Sequence, residues 1–390
     1  MTKLEWSKWN FLLLTVCLLV GWNYWAPMFV WSSPFALYGG NSADFHTFYL
    51  AGRSWLSGGN PYNDRMVSGF IYPPPSLPFF SLFSLFDFRL ASQLWIVTYF
   101  TVFLVALVAL ALTLRGDRRL MYASLASLIF FTSYPLLIMF QQGQIDLLIA
   151  SLTILSLVCE RKKHNSISAA MLSISVLLKG NAILLLIYFV IFRRDWKYLV
   201  HFLIITLAIV GLSLIIIPVQ LYWDYAAVTL RLSSIGFVYN ESIPGQLAFA
   251  QLNAIAPIVS IAGYGLFTVF SYWASSKRFS TMHKTLSADG MFLMNVLIML
   301  LFGPRSTIYP YVWVILPVAL FLSTLLMEEV RTAFLAAMGI GTFLLSAVIS
   351  PDFLNYKTFG LGLIGNVLMT ISLILLYVRP NSVFRRITKG

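Results

Sequence analysis

Three side chains in one short stretch could move a proton or hold a charged ligand. They are Asp44, His46 and Arg53, within NSADFHTFYLAGRSWLSGGNPYND at 41–64. A carboxylate held partly out of water is a competent general base. A guanidinium fork matches the oxygens of an anionic group. His46 lies two residues from Asp44, so on a helix the two side chains point apart; contact with a second substrate is the role left to it. Further along, polar residues stand in loops and breaks between apolar runs: Gln144 and Asp146 in QQGQID, Lys179 in LLKGN, Asn240 and Ser242 in YNES, and Arg305 in GPRST. Gln144 and Asp146 open a helix and can hydrogen-bond hydroxyl groups. An ammonium at the centre of a bilayer costs about 3 kcal/mol or more on insertion scales. Lys179 therefore needs an anionic ligand, a structural pair with Asp146, or a snorkelling route to the interface. Arg305, after Gly-Pro at a helix junction, reads as an anion clamp or an interface anchor. Tyr49, Asn60, Tyr62 and Tyr72 combine turn chemistry with aromatic faces that anchor at interfaces.

Some chemistries find no residues here. The four histidines, His46, His164, His201 and His283, are scattered without ligand spacing. There is no phosphate-cradling glycine loop and no paired Asp-x-Asp for a nucleotide and Mg²⁺. No metal and no cofactor is expected. The two cysteines, Cys17 and Cys159, lie in separate apolar runs and read as packed thiols.

The elements that position these residues follow from composition. The 390 residues are 59% hydrophobic and 10% charged, against about a quarter charged for soluble domains. Several continuous apolar runs reach the length of a bilayer span, and in lipid such runs must be helical. The expectation is an all-α, polytopic integral-membrane bundle in a single domain, 1–390. The net charge of +12 would suggest nucleic acid on a soluble protein. Here, 19 of the 26 Lys and Arg sit in clusters between alternate runs, the pattern of the positive-inside rule; no nucleic-acid partner is expected. Both termini, including a tail at 379–390, are then cytoplasmic. The first apolar run, 11–31, lacks a small-residue cleavage site and should remain as a helix. Full-length spans are expected near 11–31, 91–114, 120–140, 145–159, 197–219, 252–274, 286–303, 308–326, 332–350 and 360–378. Residues 166–192 lie between two basic clusters and are broken at Lys179. Each half is about 18 Å long at 1.5 Å per residue, so two short helices in a half-span hairpin are expected. That gives about twelve membrane helices.

The long outer loops are 32–90 and 220–251. In the first, Asn41 can cap a helix with Asp44 in its first turn. Phe45, Phe48, Tyr49, Gly52, Trp55 and Leu56 then share one apolar face, which predicts a short helix lying in the membrane interface. Gly58-Gly59 ends it and Asn60-Pro61 turns the chain. The short apolar piece at 76–86 is expected in the same interface.

ADFHTFYLAGRSWLSGGNPY resembles the signature of glycosyltransferase family 87, formerly a domain of unknown function. The resemblance continues in order through IYPPPSLPFFSLFSLF at 71–86, QQGQIDLLIASL at 141–152, AAMLSISVLLKGNAILLLIYFVIFRRDWK at 169–197 and YNESIPGQLAF at 239–249. It covers about the first two thirds of the chain. It implies a C-type, polytopic transferase that draws on lipid-linked sugar, with Asp44 as catalytic base. Two departures stand out. GPRSTIYPY at 303–311 has Arg305 and Tyr309 where the family often has a histidine, and no arginine follows the Asn-x-Ser segment.

Together these readings predict an inverting hexosyltransferase, mannosyltransferase-like. Its donor would be a polyprenyl-phosphate sugar and its acceptor a lipid-linked or cell-envelope glycan on the outer face. Lys179, Arg305, Arg53, His46, Tyr49, Asn60, Gln144, Asp146, Asn240 and Ser242 are the candidate substrate contacts. A lipid or sugar transporter or flippase, and an envelope polysaccharide polymerase or ligase, remain the alternatives. No internal repeat of the transporter kind is found.

Overall fold

A computed structural model describes residues 44–64, 67, 69–233, 242–276, 284–303, 306, 309–327, 332–346 and 361–378. Every regular element among them is helical. Four of the described helices are long and apolar enough to cross a membrane: Phe88–Thr113, Trp196–Ile216, Ala256–Ser276 and Lys284–Phe302. The chain is a helical membrane protein. The expected run at 11–31 and the cap at Asn41 lie outside the described residues.

In chain order the first helices are α1 (Asp44–Leu56), α2 (Leu77–Ser84), α3 (Phe88–Thr113), α4 (Asp117–Thr132) and α5 (Tyr134–Gln142). Next come α6 (Asp146–Arg161), α7 (Asn165–Leu178), α8 (Trp196–Ile216), α9 (Val219–Ser233), α10 (Ile243–Phe249) and α11 (Ala256–Ser276). The last are α12 (Lys284–Phe302), α13 (Ile315–Leu325), α14 (Thr332–Ser346) and α15 (Leu361–Val378).

Three helices form the interior, and one of them, α13, buries every residue from Ile315 to Leu325 except Leu322. α6 is buried along almost its whole length, between α3 and α7, and α12 is buried from Leu286 to Leu301. α8 does the opposite. Leu207 and Ile215 on it are 68% and 77% exposed, which suits a lipid-facing surface and no aqueous one.

The expected run at 120–140 is two helices. Ser133 ends α4, and its hydroxyl accepts the Leu136 N–H at the start of α5. Pro135 supplies no N–H and disfavours helical backbone before it, so the break falls there. The expected run at 308–326 begins as a 3₁₀ stretch, Tyr309–Val314, before α13.

Residues 166–192 do fold back on themselves. α7 ends at Lys179, whose extended backbone (φ −153°) breaks the helix; a 3₁₀ stretch, Gly180–Leu185, and a π-helical stretch, Ile187–Phe192, lead back. The return is sealed where Asn165 Nδ2 donates to Asp195 at 2.7 Å and Arg193 pairs with Glu160 at 2.7 Å. The tip lies level with the first turn of α6. α7 runs antiparallel to α6, Ser156 and Ser168 bond across the pair, and Lys179 arrives beside Asp146. α6 has 16 residues and α7 has 14, about 24 and 21 Å at 1.5 Å per residue, so the hairpin tip matches the far end of α6.

α1 starts at Asp44 and is followed by the Gly58–Gly59 turn, with Gly58 at φ +80°. Its apolar face is turned onto protein: Phe45, Phe48, Tyr49 and Gly52 are buried against α2 and α3. Leu56 stays half exposed at 49%. Gly52 permits the α1–α2 contact, because a Cβ there would lie 2.8 Å from Ser81 Cα.

Candidate active site

Asp44 opens α1, so its carboxylate sits at the positive end of that helix. The stacked rings of Phe45 and Trp95, centroids 5.3 Å apart, press this end of α1 onto α3. Trp95 does a second job. Its Nε1 donates to the carbonyl of Gly143 at 2.8 Å. Gly143 is the left-handed residue (φ 65°) that closes α5, a conformation glycine adopts freely. One tryptophan thus ties the start of α1 to the turn that carries Gln144 and Asp146.

That turn supplies the partner of the carboxylate. Gln144 Nε2 donates to Asp44 Oδ2, while Tyr72 OH donates to Gln144 Oε1 at 3.2 Å. The Tyr72 carbonyl in turn accepts from Tyr62 OH at 2.7 Å. Gln144 is thereby fixed with its amide nitrogen toward Asp44, the orientation an ionised carboxylate needs. Burial raises the Asp44 carboxyl above its ordinary 3.8; the Gln144 hydrogen bond and the Lys179 charge pull it down, and Asp146 pushes it up. Burial dominates, and it makes the carboxylate a stronger base than one in water.

Asp146, at the first turn of α6, is fully buried. Both its oxygens accept from Lys179 Nζ at 2.8 Å, and Oδ1 also accepts from Trp313 Nε1 at 2.9 Å. The pair satisfies the cost of placing Lys179 at the hairpin tip. Lysine has three N–H donors; two are committed to Asp146, and the side chain keeps 21% of its surface.

The other expected contacts are spread out. Tyr49 OH donates to the Phe86 carbonyl at 2.9 Å, and the His46 ring packs edge-on to Phe88 at 5.3 Å. Arg53 is exposed. It lies nine residues after Asp44, on the opposite face of α1. Asn60 accepts from the Tyr62 N–H at 3.0 Å and donates to Asp224 of α9 at 2.6 Å. Ser242 is buried and caps α10 by accepting the Gly245 N–H at 3.0 Å. Tyr49, His46, Asn60 and Ser242 thus make packing, turn and capping contacts, while Arg53 stands at the surface. Asn240 and Arg305 lie outside the described residues.

The structure adds Trp313, Trp95 and Asp224, which the sequence reading did not single out. Trp313 stands in an apolar run and carries no local polar signal; only its fold-level neighbour, 167 positions away, reveals its role. Among the described residues no group of three or more His, Cys, Asp or Glu is placed to hold a metal ion.

Four candidate residues, Asp44, Gln144, Asp146 and Lys179, therefore converge at one end of α6. Arg161 and Arg118 hold Asp289 at the opposite end. A comparison with curated proteins finds none that matches. The sequence profile of glycosyltransferase family 87 matches residues 70–304, more than half of the chain. The match takes in Tyr72, Gln144, Asp146 and Lys179 and begins after Asp44, which the Gln144 bond joins to the matched part. By that match the chain belongs to glycosyltransferase family 87 and is a glycosyltransferase.

Proposed function

We propose that the protein is an inverting hexosyltransferase that uses a polyprenyl-phosphate sugar, with mannose the first candidate, and transfers it to a lipid-linked or cell-envelope glycan. The observation that carries this reading is the Asp44 carboxylate: buried, oriented by Gln144, and close enough to feel the charge of Lys179. In the reaction, Asp44 takes the proton of an acceptor hydroxyl as that oxygen bonds to the anomeric carbon. The bond between that carbon and the phosphate oxygen breaks, and its electron pair leaves on the phosphate. One base on the attacking face gives inversion. The leaving phosphate is stable as an anion, so it needs a cation and no acid. Lys179 has a third N–H to offer it, with Asp146 holding the amine and the Trp313 N–H holding Asp146.

The geometry supports an outward-facing site. The Asp44 cluster and the basic cluster around Arg161 occupy opposite ends of α6, about 24 Å apart along its 16 residues. By the positive-inside rule the basic end faces the cytoplasm. Arg305 and Asn240 complete the proposal as donor-phosphate and acceptor contacts. Membership of a glycosyltransferase family favours chemistry over transport alone. The test is incubation of membranes containing the protein with a panel of polyprenyl-phosphate sugars, followed by mass analysis of lipid products. A hexose-bearing product that depends on the protein supports the reading. Turnover only with nucleotide sugars overturns it.

A further inference from the structure

The end of the bundle opposite Asp44 holds a cavity of about 620 Å³. It lies where α3 ends, α6 ends, the hairpin returns and α12 begins. Six basic side chains line it, Arg115, Arg118, Arg161, Lys162, Arg193 and Lys284, against two acids, Glu160 and Asp289. The acids are already used. Asp289 is buried and accepts from Arg118 at 2.6 Å, from Arg161, and from Thr324 Oγ1 at 2.9 Å, while Glu160 is paired with Arg193. Arg118 and Arg161 keep only 19% and 20% of their side-chain surface, and Arg118 Nε is buried with no acceptor among the described residues. Arg115, Lys162 and Lys284 are exposed. The positive-inside rule explains why cations collect at this end. It does not explain two guanidiniums held in place by a buried aspartate around a cavity. Fixed guanidiniums with spare N–H donors are the arrangement that binds phosphate oxygens. The volume is in the range of small-molecule sites, larger than a bare phosphate fills.

We infer that this cavity is a second binding site, for a phosphate-bearing anion with an organic body, distinct from the Asp44 site by the length of α6. The two sources of that chemistry are the headgroup of an anionic lipid and a soluble phosphate compound. Native mass spectrometry of the full chain in neutral detergent, with added phosphatidylglycerol or phosphatidylcholine, tests the first. Calorimetric titration with inorganic pyrophosphate tests the second. The cavity variant is Arg115→Gln/Lys284→Gln, which leaves the Asp289 cluster intact; Lys163→Gln/Lys197→Gln, at exposed positions outside the cavity, is the control. Loss of two charged contacts should weaken binding by about tenfold or more, with the control nearly unchanged. Preferred retention of phosphatidylglycerol by the wild type assigns the lipid source, and pyrophosphate binding without it assigns the soluble source. Equal retention of both lipids together with no pyrophosphate binding overturns the proposal in the wild type alone. So does binding that the cavity variant retains in full.

Discussion

Neutralising Lys179 alone should damage the fold, and neutralising its partner as well should repair the fold without repairing turnover. In Lys179→Met the apolar stem is kept, but the Asp146 carboxylate, 0% exposed, is left with the Trp313 N–H as its named partner. Breaking a buried pair from one side costs about 3–5 kcal/mol. Lys179 keeps a fifth of its surface, which places the cost at the lower end, about 3 kcal/mol, on the order of a 100-fold fall in the folded-to-unfolded ratio. Asp146→Asn added to Lys179→Met removes the stranded charge and keeps an oxygen for Trp313. It should recover stability to within about 1 kcal/mol of wild type. Turnover should stay low in both, because loss of a donor to a developing anion costs on the order of 100- to 1,000-fold. Denaturant titrations of purified protein, followed by tryptophan fluorescence, give the stability, and product formation from the donor lipid gives the rate. If Lys179→Met is as stable as wild type, the pair does not hold the hairpin tip. If the double variant folds and turns over normally, Lys179 is a structural lysine alone.

Gln144→Met should move the acidic limb of the pH–rate profile to higher pH. The wild-type rate falls as the raised Asp44 carboxyl gains its proton, and removing a hydrogen bond to the charged form raises it further; an unmoved limb would show that Gln144 does not tune the base. Gly52→Ala should destabilise by about 1–3 kcal/mol. Besides the Ser84 hydroxyl, the new Cβ meets the Ser81 backbone, with Cα 2.8 Å away, which cannot yield as a side-chain tip would; a gain in thermal stability from the better helix former would contradict the close α1–α2 contact. Ser57→Cys and Asn63→Cys, in a chain lacking Cys17 and Cys159, should react with an impermeant thiol reagent in intact cells. Protection of both until the membrane is permeabilised would reverse the proposed orientation.

The class of fold was legible because lipid enforces it: long apolar runs have few alternatives to helix. The glycine end of α1 and the break at Lys179 were legible too, since each rests on a local residue type. The break at Ser133 needed Pro135 to be weighed above the continuous apolar run around it. The apolar face of α1 was legible, and what it meets was not. An apolar face reads the same whether it meets lipid or Phe80 and Trp95 of its own chain, and the structure shows protein. The polar residues that converge at the end of α6 were singled out one by one, from their types and their places between apolar runs. Their partners were only partly found. Asp146 was one of the partners weighed for Lys179, whereas the bond from Gln144 to Asp44 spans 100 positions and leaves no periodic trace. Trp95 and Trp313 were missed because a tryptophan in an apolar run already has a sufficient reason to be there.

If Asp44 is the base, Asp44→Asn should abolish transfer and spare the fold. The substitution keeps size and an oxygen for Gln144 Nε2, and removes the proton acceptor. A carboxyl whose folded-state pKa is raised lends its stability below the unfolded value and loses it as pH rises through the folded one. At pH 7 the variant should therefore be as stable as wild type or more so, which separates folding from chemistry. Its rate of sugar transfer, measured with a donor lipid that it still binds, should fall about 100- to 10,000-fold. A folded Asp44→Asn protein that transfers sugar at close to the wild-type rate would contradict the account.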